Sequence, residues 1–383
     1  MSAGPGEKVP VAGRRQPLSV LIAGGGTGGH IFPGIALAEA FRDVNPASRI
    51  VFAGTGNRLE TEALRRTPFE HRAISAGGLK GRGPIRQVAA LLKVSKGFME
   101  SISLLRGFKP DLVIGVGGYV SGPMVLAARL MGVVCVLQEQ NVLPGITNRI
   151  LAPLVHRIYA AFPDTGGKRF QRKMKVTGNP VRKELGGSKA EAEKKPSGDG
   201  IRIERLTLLI FGGSQGARRI NEAMAQALDF LPLEQMSFLH QTGIDELSSV
   251  QSAYGARDAR AAVEAFFVDM ASRYQAADLV ICRAGATTVA EVTAMGKPAI
   301  FIPYPFAADD HQRMNAQSLV DQGAAEMILE EDLTGELLAE RILYFESHPE
   351  VLNAMADRAR AFGKPDAARR IVEDCYTLLE KRS

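Results

Sequence analysis

Leu18-Ser-Val-Leu-Ile-Ala-Gly-Gly-Gly-Thr-Gly-Gly-His30 passes from a short apolar run into a cluster of glycines and then to a polar residue. A run of this kind reads as a strand buried on both faces, and glycines after it let the chain turn sharply into a helix. The succession recurs as Leu206-Thr-Leu-Leu-Ile-Phe-Gly-Gly-Ser-Gln-Gly-Ala-Arg218. Asp111-Leu-Val-Ile-Gly-Val-Gly-Gly118 is likewise echoed by Asp278-Leu-Val-Ile-Cys-Arg-Ala-Gly285. The chain therefore carries a weak internal repeat, and strand-like and helix-like segments alternate between its members. That pattern predicts an α/β protein made of two doubly wound, Rossmann-like domains. With 383 residues it is also longer than one core usually fills.

The expected divisions are a disordered tail over 1–16, one domain over 17–178, a second over 179–364 and a terminal helical stretch over 365–383. The boundary falls near Val176-Thr-Gly-Asn-Pro-Val181. Gly186 to Gly200 is rich in Lys, Glu, Gly and Ser without periodicity, and reads as a surface loop.

Charge is divided unevenly. Residues 1–178 hold 24 Lys and Arg against 10 Asp and Glu, a net +14, whereas 179–383 hold 23 against 31, a net −8. A basic half suits phosphate-bearing ligands or an anionic membrane surface. Nucleic acid is the rival partner, but the chain has no Trp and few aromatics to stack bases, so no nucleic-acid role is expected. Cys135, Cys282 and Cys375 are odd in number and widely spaced, which predicts a reducing compartment and no structural zinc. The apolar run from Leu18 to Ala23 is too short for a signal-peptide core or a membrane span.

In open α/β sheets ligands gather at the carboxyl ends of the strands, where backbone N–H groups and helix N-termini meet phosphate. The four glycine turns should therefore line one cleft. Gly24, Gly26 and Gly29 satisfy G-x-G-x-x-G, yet the second strand, Arg49 to Ala53, runs into Gly54-Thr-Gly56 with no acidic ribose anchor. A nicotinamide site is therefore disfavoured, and no glycine turn is followed by Gly-Lys-Ser/Thr, so a P-loop is excluded. His30, with Pro33 expected in the first helical turn, either caps its helix or acts as a base on a sugar hydroxyl. Gly118, Tyr119 and Ser121 form a second loop, able to meet an acceptor or to serve as a plain βα turn. Glu139-Gln-Asn141 leaves an apolar strand on the same side, and three polar residues there are not expected to be core.

In the second half Ser214, Gln215 and Gly216 head a helix suited to a pyrophosphate, with Arg182 and Arg283 adding positive charge. Glu291, one turn into the helix opened by Ala284 to Thr288, could accept two ribose hydroxyls or simply pair with the helix dipole. Asp309-Asp-His-Gln312 could hold a donor sugar or a metal, but no D-x-D occurs. No metal and no other cofactor is expected.

Together these segments resemble the MurG family of peptidoglycan N-acetylglucosaminyltransferases. The likeness rests on Gly24 to His30 with Phe32-Pro33, Gly117 to Pro123, Glu139 to Asn141, Thr177 to Arg182, Gly212 to Arg218, His240 to Gly243, Cys282 to Thr288 and Asp310 to Gln312. It implies a GT-B fold with a deep interdomain cleft. The implied reaction is inverting transfer of GlcNAc from UDP-GlcNAc to the 4-hydroxyl of MurNAc-pentapeptide on undecaprenyl pyrophosphate, lipid I giving lipid II. On this resemblance the backbone near Phe267 and Val268 meets uracil, Glu291 the ribose, Ser214 and Arg182 the pyrophosphate, and His311 or Gln312 with Ala286 and Thr287 the donor sugar. Thr27, Gly28, Gly29, Asn141, Gln215, Gly216 and Arg283 complete the donor side. His30, Gly118, Tyr119, Ser121, Glu139 and Asn141 face the acceptor, with His30 as base and Glu139 as its orienting partner or rival. The last helix is implied to cross back to the first domain. The implied setting is peripheral, on the cytoplasmic face of the inner membrane among cell-wall synthesis proteins.

A lipid-borne acceptor requires docking to an anionic surface. Leu79, Lys80, Arg82, Ile85 and Arg86, at a glycine-rich basic entry to an apolar and basic run, are expected to supply it, although the run itself also fits an ordinary Rossmann helix. Transfer to a diacylglycerol, UDP-GlcNAc epimerisation and nucleotide-sugar sensing are the other functions compatible with such a fold.

Overall fold

The computed structural model describes residues 15–76, 84–186, 205–213 and 216–382. The segment 1–14, most of the Gly186 to Gly200 loop, Leu79, Lys80 and Arg82, and the pair Ser214 and Gln215 lie outside the described residues. Only the backbone of Ile85 and Arg86 is described, within a helix.

The first half runs β1 (Ser19–Gly24), α1 (Gly28–Val44), β2 (Arg49–Gly54), α2 (Arg58–Arg65), β3 (Glu70–Ala73) and α3 (Pro84–Phe108). It continues through β4 (Leu112–Gly117), α4 (Ser121–Leu130), β5 (Val134–Glu139), α5 (Ile146–Leu151), β6 (Arg157–Ala160), α6 (Lys168–Gln171) and β7 (Met174–Val176). The second half begins with α7 (Lys183–Gly186), β8 (Leu206–Phe211), α8 (Arg218–Ala227), β9 (Met236–Gln241), α9 (Leu247–Gly255), β10 (Ala261–Glu264) and α10 (Met270–Ala276). There follow β11 (Leu279–Cys282), α11 (Ala286–Ala294), β12 (Ala299–Phe301), α12 (His311–Val320), β13 (Glu326–Met327), α13 (Gly335–Ser347), α14 (Pro349–Phe362) and α15 (Ala367–Glu380).

All pairings are parallel. The first sheet has the order β3-β2-β1-β4-β5-β6-β7 and the second β10-β9-β8-β11-β12-β13. Each order reverses direction at one point, between β1 and β4 and between β8 and β11, and these are the places where an open sheet leaves a crevice for ligand. The central strands are mostly apolar and buried because helices cover both faces, whereas edge strand β3 reads Glu-His-Arg-Ala and is largely exposed. The two Rossmann-like domains of the GT-B arrangement are thus present, each with a core above and a core below its sheet.

One of those cores is completed from the far end of the chain. Ile371, Val372, Cys375 and Tyr376 of α15 are buried with Phe41 of α1 and Tyr159 of β6. Asp374 accepts the Tyr159 hydroxyl at 2.9 Å and pairs with Arg157 at 3.3 Å and with Lys175. The two strands of chain linking the domains touch where Gly178, at φ +88°, leaves no room for a side chain beside Lys364.

Candidate active site

The site is built from the turns at the two switch points. After β1, Gly25 and Gly26 have φ of +150° and +91°, and a Cβ at Gly118 would lie 2.5 Å from the Gly25 carbonyl oxygen. Only glycine allows the β1 and β4 turns to abut so closely. Ser121 fastens them from below. Its Oγ accepts the Gly117 N–H at 3.1 Å and lies 2.7 Å from the Ala23 carbonyl, and the residue is fully buried. It therefore builds the turn and does not face an acceptor, contrary to the sequence expectation.

His30 is the third residue of α1, and its Nδ1 lies 3.1 Å from the Gly25 carbonyl oxygen and 3.1 Å from Thr27 Oγ1. A carbonyl only accepts, so Nδ1 carries the proton and Nε2 keeps its lone pair. Burial lowers the imidazole pKa from its usual 6.5; the bond to Gly25 opposes this, and His311 across the cleft reinforces it. The ring is neutral at pH 7, with Nε2 over Gly117, where a Cβ would come within 2.7 Å of it. Pro33 sits in the second helical turn, not the first, and having no N–H leaves the Gly29 carbonyl without its helical donor. Tyr119 is half exposed at the rim of the β4 turn.

One residue absent from the sequence reading lies beneath this turn. Glu60 of α2 is fully buried, and its Oε1 accepts from Gly26 N–H and, at 2.8 Å, from the Thr55 hydroxyl. Oε2 accepts from Gly56 N–H at 2.9 Å and stands 3.6 Å from His71 Nε2. Burial alone would raise its pKa, but the nearby His71 imidazole and the hydrogen bonds from Thr55, Gly26 and Gly56 together win and hold it down to about 2. The carboxylate is charged at any pH at which the enzyme works.

Glu139 is neither a free base nor an acceptor ligand. It ends β5, is 1% exposed, and each of its oxygens takes two donors. Oε1 accepts from Asn141 N–H at 3.0 Å and from the Asn141 amide at 3.4 Å; Oε2 accepts from Gly145 N–H at 3.1 Å and from the Asn148 amide at 2.8 Å. Burial pushes its pKa up against these bonds. Gln140 is buried too, donating to the Val116 carbonyl at 2.7 Å, and Gln138 donates to Asn179 at 2.9 Å. The polar run is a buried network that shapes the loop after β5, so polarity at a strand end did not mean exposure.

In the second domain the turn after β8 is equally tight, with a Cβ at Gly216 falling 2.1 Å from the Thr242 carbonyl oxygen. The helices α8 and α11 that start at the switch have no acidic residue in their first turns, so their partial positive charge is free to meet an anion. Thr287, in the first turn of α11, has a buried hydroxyl without a partner among the described residues, and Ala286 beside it is buried. Arg182 and Glu291, expected at a pyrophosphate and a ribose, are paired with each other at 2.9 Å, and Tyr274 donates to the other Glu291 oxygen at 3.2 Å. Arg283 is a correction. Its guanidinium donates to the Ile302 and Pro303 carbonyls at 3.1 and 3.2 Å and pairs with Glu330, so it braces the loop after β12 and presents no charge to a ligand. Phe267 is buried with its N–H held by Gln241 at 2.8 Å, while Val268 is 71% exposed. His311 is tied to the Ala308 carbonyl at 2.7 Å, and Gln312 accepts the Tyr304 N–H at 3.0 Å.

The two sets of turns share one crevice. Buried Asn315 of α12 accepts the Val142 N–H at 3.2 Å and donates to Asn141 Oδ1 at 3.1 Å, joining the α12 helix to the loop that Glu139 organises. Arg149 of α5 pairs with Asp309 at 2.7 Å, and Arg182 lies over the Phe32 ring of α1 at 5.6 Å. The neutral imidazole is thereby set opposite the helix starts of the other domain.

The chain is similar to known proteins in both sequence and fold. Residues 20–160 match the glycosyltransferase family 28 N-terminal domain and 207–371 the glycosyltransferase family 28 C-terminal domain. The chain is 47% identical over 363 residues, 94% of its length and 98% of the relative's, to the UDP-N-acetylglucosamine–N-acetylmuramyl-(pentapeptide) pyrophosphoryl-undecaprenol N-acetylglucosamine transferase of Syntrophus aciditrophicus. It is 43% identical to the protein of the same name in Geobacter sulfurreducens, over 95% of this chain and 100% of that one. The crystal structure of MurG from Acinetobacter baumannii superposes with a TM-score of 0.75 at 33% identity, covering 95% of this chain and 100% of that one. A UDP-GlcNAc 2-epimerase from Neisseria meningitidis, TM-score 0.64 at 16% identity over 95% of this chain and 100% of that one, shares the fold alone. With both halves matched and relatives this similar along nearly the whole chain, the protein belongs to glycosyltransferase family 28, and within it to the MurG family.

Proposed function

We propose that this protein transfers N-acetylglucosamine from UDP-GlcNAc to the 4-hydroxyl of MurNAc-pentapeptide on undecaprenyl pyrophosphate, with inversion at the sugar. The observation that carries the reading is the neutral His30, with the Nε2 lone pair at the first switch point and the α11 and α12 starts across the crevice. His30 Nε2 takes the hydroxyl proton as the acceptor oxygen forms its bond to C1 of the donor sugar. The bond from C1 to the diphosphate oxygen breaks, and its electron pair leaves with UDP. Helix N-termini at α8 and α11 meet the charge that develops on the leaving group. We propose that no metal takes part.

The relatives described above are named for this donor and this acceptor. A transfer assay with a soluble lipid I analogue beside a diacylglycerol acceptor tests the assignment. Disaccharide product from the first alone, unaffected by EDTA, is the expected result. Transfer only to diacylglycerol, or conversion of UDP-GlcNAc to its 2-epimer without any acceptor, would overturn it.

We further propose that the enzyme works peripherally, at the cytoplasmic face of the membrane. No helix among the described residues is long and apolar enough to cross a membrane. The first domain instead presents Leu126, Leu130 and Met131 at the end of α4, and Ile146, Ile150 and Leu154 along and after α5, all exposed. Arg129 donates to the Leu154 carbonyl at 3.0 Å and so joins the two groups. Apolar side chains beside an arginine fit an anionic bilayer. Replacing Leu130 and Ile150 together by Asp is expected to weaken binding to phosphatidylglycerol vesicles by about tenfold or more. Turnover of a soluble acceptor should stay unchanged, and sedimentation with vesicles reads the difference.

A further inference from the structure

The glycine turn after β1 carries the proposed base, which depends on the turn's exact course. The Gly25 carbonyl fixes the His30 tautomer, and its position is set from two sides. On one side stands Gly118, packed against the Gly25 backbone. On the other stands the Glu60 carboxylate, so close that a Cβ at Gly25 would fall 2.2 Å from Oε1. Glu60 binds the next peptide, Gly26 N–H, and is itself anchored by Thr55, Gly56 and Asn57. A fully buried, ionised carboxylate with this many donors is expensive to install and is rarely left without a task.

We propose that Glu60 is a positioning residue for transfer: by clamping the Gly25-Gly26 turn it holds the carbonyl that keeps His30 in its Nδ1–H tautomer. This deepens the reading of His30 as base and rests on it. Glu60 touches no substrate, because it is sealed from solvent beneath the turn. Its action passes through two bonds, from the carboxylate to Gly26 N–H and from the adjoining Gly25 carbonyl to His30 Nδ1. The negative charge also raises the His30 pKa a little, against burial and His311. His71, 3.6 Å from the carboxylate on β3, is the other titratable group facing Glu60.

Glu60→Gln keeps the shape but sets an amide against N–H donors, releasing the turn. The expected result is a kcat lower by about 10–100-fold with both KM values within about twofold. The acid limb of the kcat profile should move to lower pH, since the charge that favoured imidazolium is gone. A double-mutant cycle separates mechanism from mere folding. If Glu60 acts through His30, adding Glu60→Gln to His30→Ala costs nothing further. Full additivity in the cycle, or an unshifted pH profile, would overturn the positioning role while leaving His30 as base. Near-normal turnover by His30→Ala alone would instead overturn the reading on which the proposal rests. UDP-GlcNAc binding and the thermal midpoint report whether Glu60→Gln folds. Should it not, Thr55→Val, which removes one donor from the same oxygen, is to show a smaller kcat loss in the same direction, and no loss there overturns the proposal.

Discussion

A His30→Ala enzyme is expected to turn over about 10²–10⁴ times more slowly, with the KM for UDP-GlcNAc little changed. The size follows from the role. Removing a general base forfeits proton transfer in the transition state but leaves in place the α8 and α11 helix starts proposed to meet the donor diphosphate. In the unaltered enzyme kcat should rise with pH as imidazolium loses its proton, with an apparent pKa below 6.5, and stay level through neutrality. Burial disfavours the cation, so the neutral, competent form already prevails at pH 7. In His30→Ala that limb should vanish. Steady-state kinetics over pH 5–8 with a soluble acceptor measures both effects, and a limb that persists in the variant would assign the titration to another group.

The fold was legible because its signals are local. An apolar run, a glycine turn and a helix start occupy about a dozen consecutive residues at Leu18 to His30, and their recurrence at Leu206 to Arg218 gave the second domain. The place of His30 was legible for the same reason, since it follows directly from the turn. What the sequence hid was pairing across distance. Arg182 and Glu291 are 109 positions apart, and no local signal announces their ion pair. Arg283 looked like a charge at a strand end, and nothing nearby in the chain announces Glu330 or the Ile302 carbonyl. Glu60 was missed altogether. Asn57 caps α2 by accepting the Glu60 N–H at 2.8 Å, so Asn-x-x-Glu reads as a helix start whose glutamate serves its own helix. Here that side chain turns to a glycine loop 34 residues earlier.

Glu139→Ala is expected to lower stability by about 3–5 kcal/mol, because the Asn141 and Gly145 N–H groups and the Asn148 amide lose their acceptor in a buried loop. For a domain of this size that corresponds to a midpoint lower by roughly 10 °C in a thermal scan. Glu139→Gln should cost less, since the amide oxygen still accepts on one side while its NH2 group confronts donors on the other. The two variants distinguish a scaffold from a base. A carboxylate that took the acceptor proton would, as glutamine, abolish kcat without moving the midpoint. A carboxylate that shapes the loop after β5 should instead lose stability and acceptor affinity together, because Asn141 and Val142 of that loop also hold Asn315 of the opposite domain. The acid limb assigned to His30 should survive in Glu139→Gln, since the turn that carries the imidazole is built by Gly25, Glu60 and Ser121 and takes no bond from Glu139.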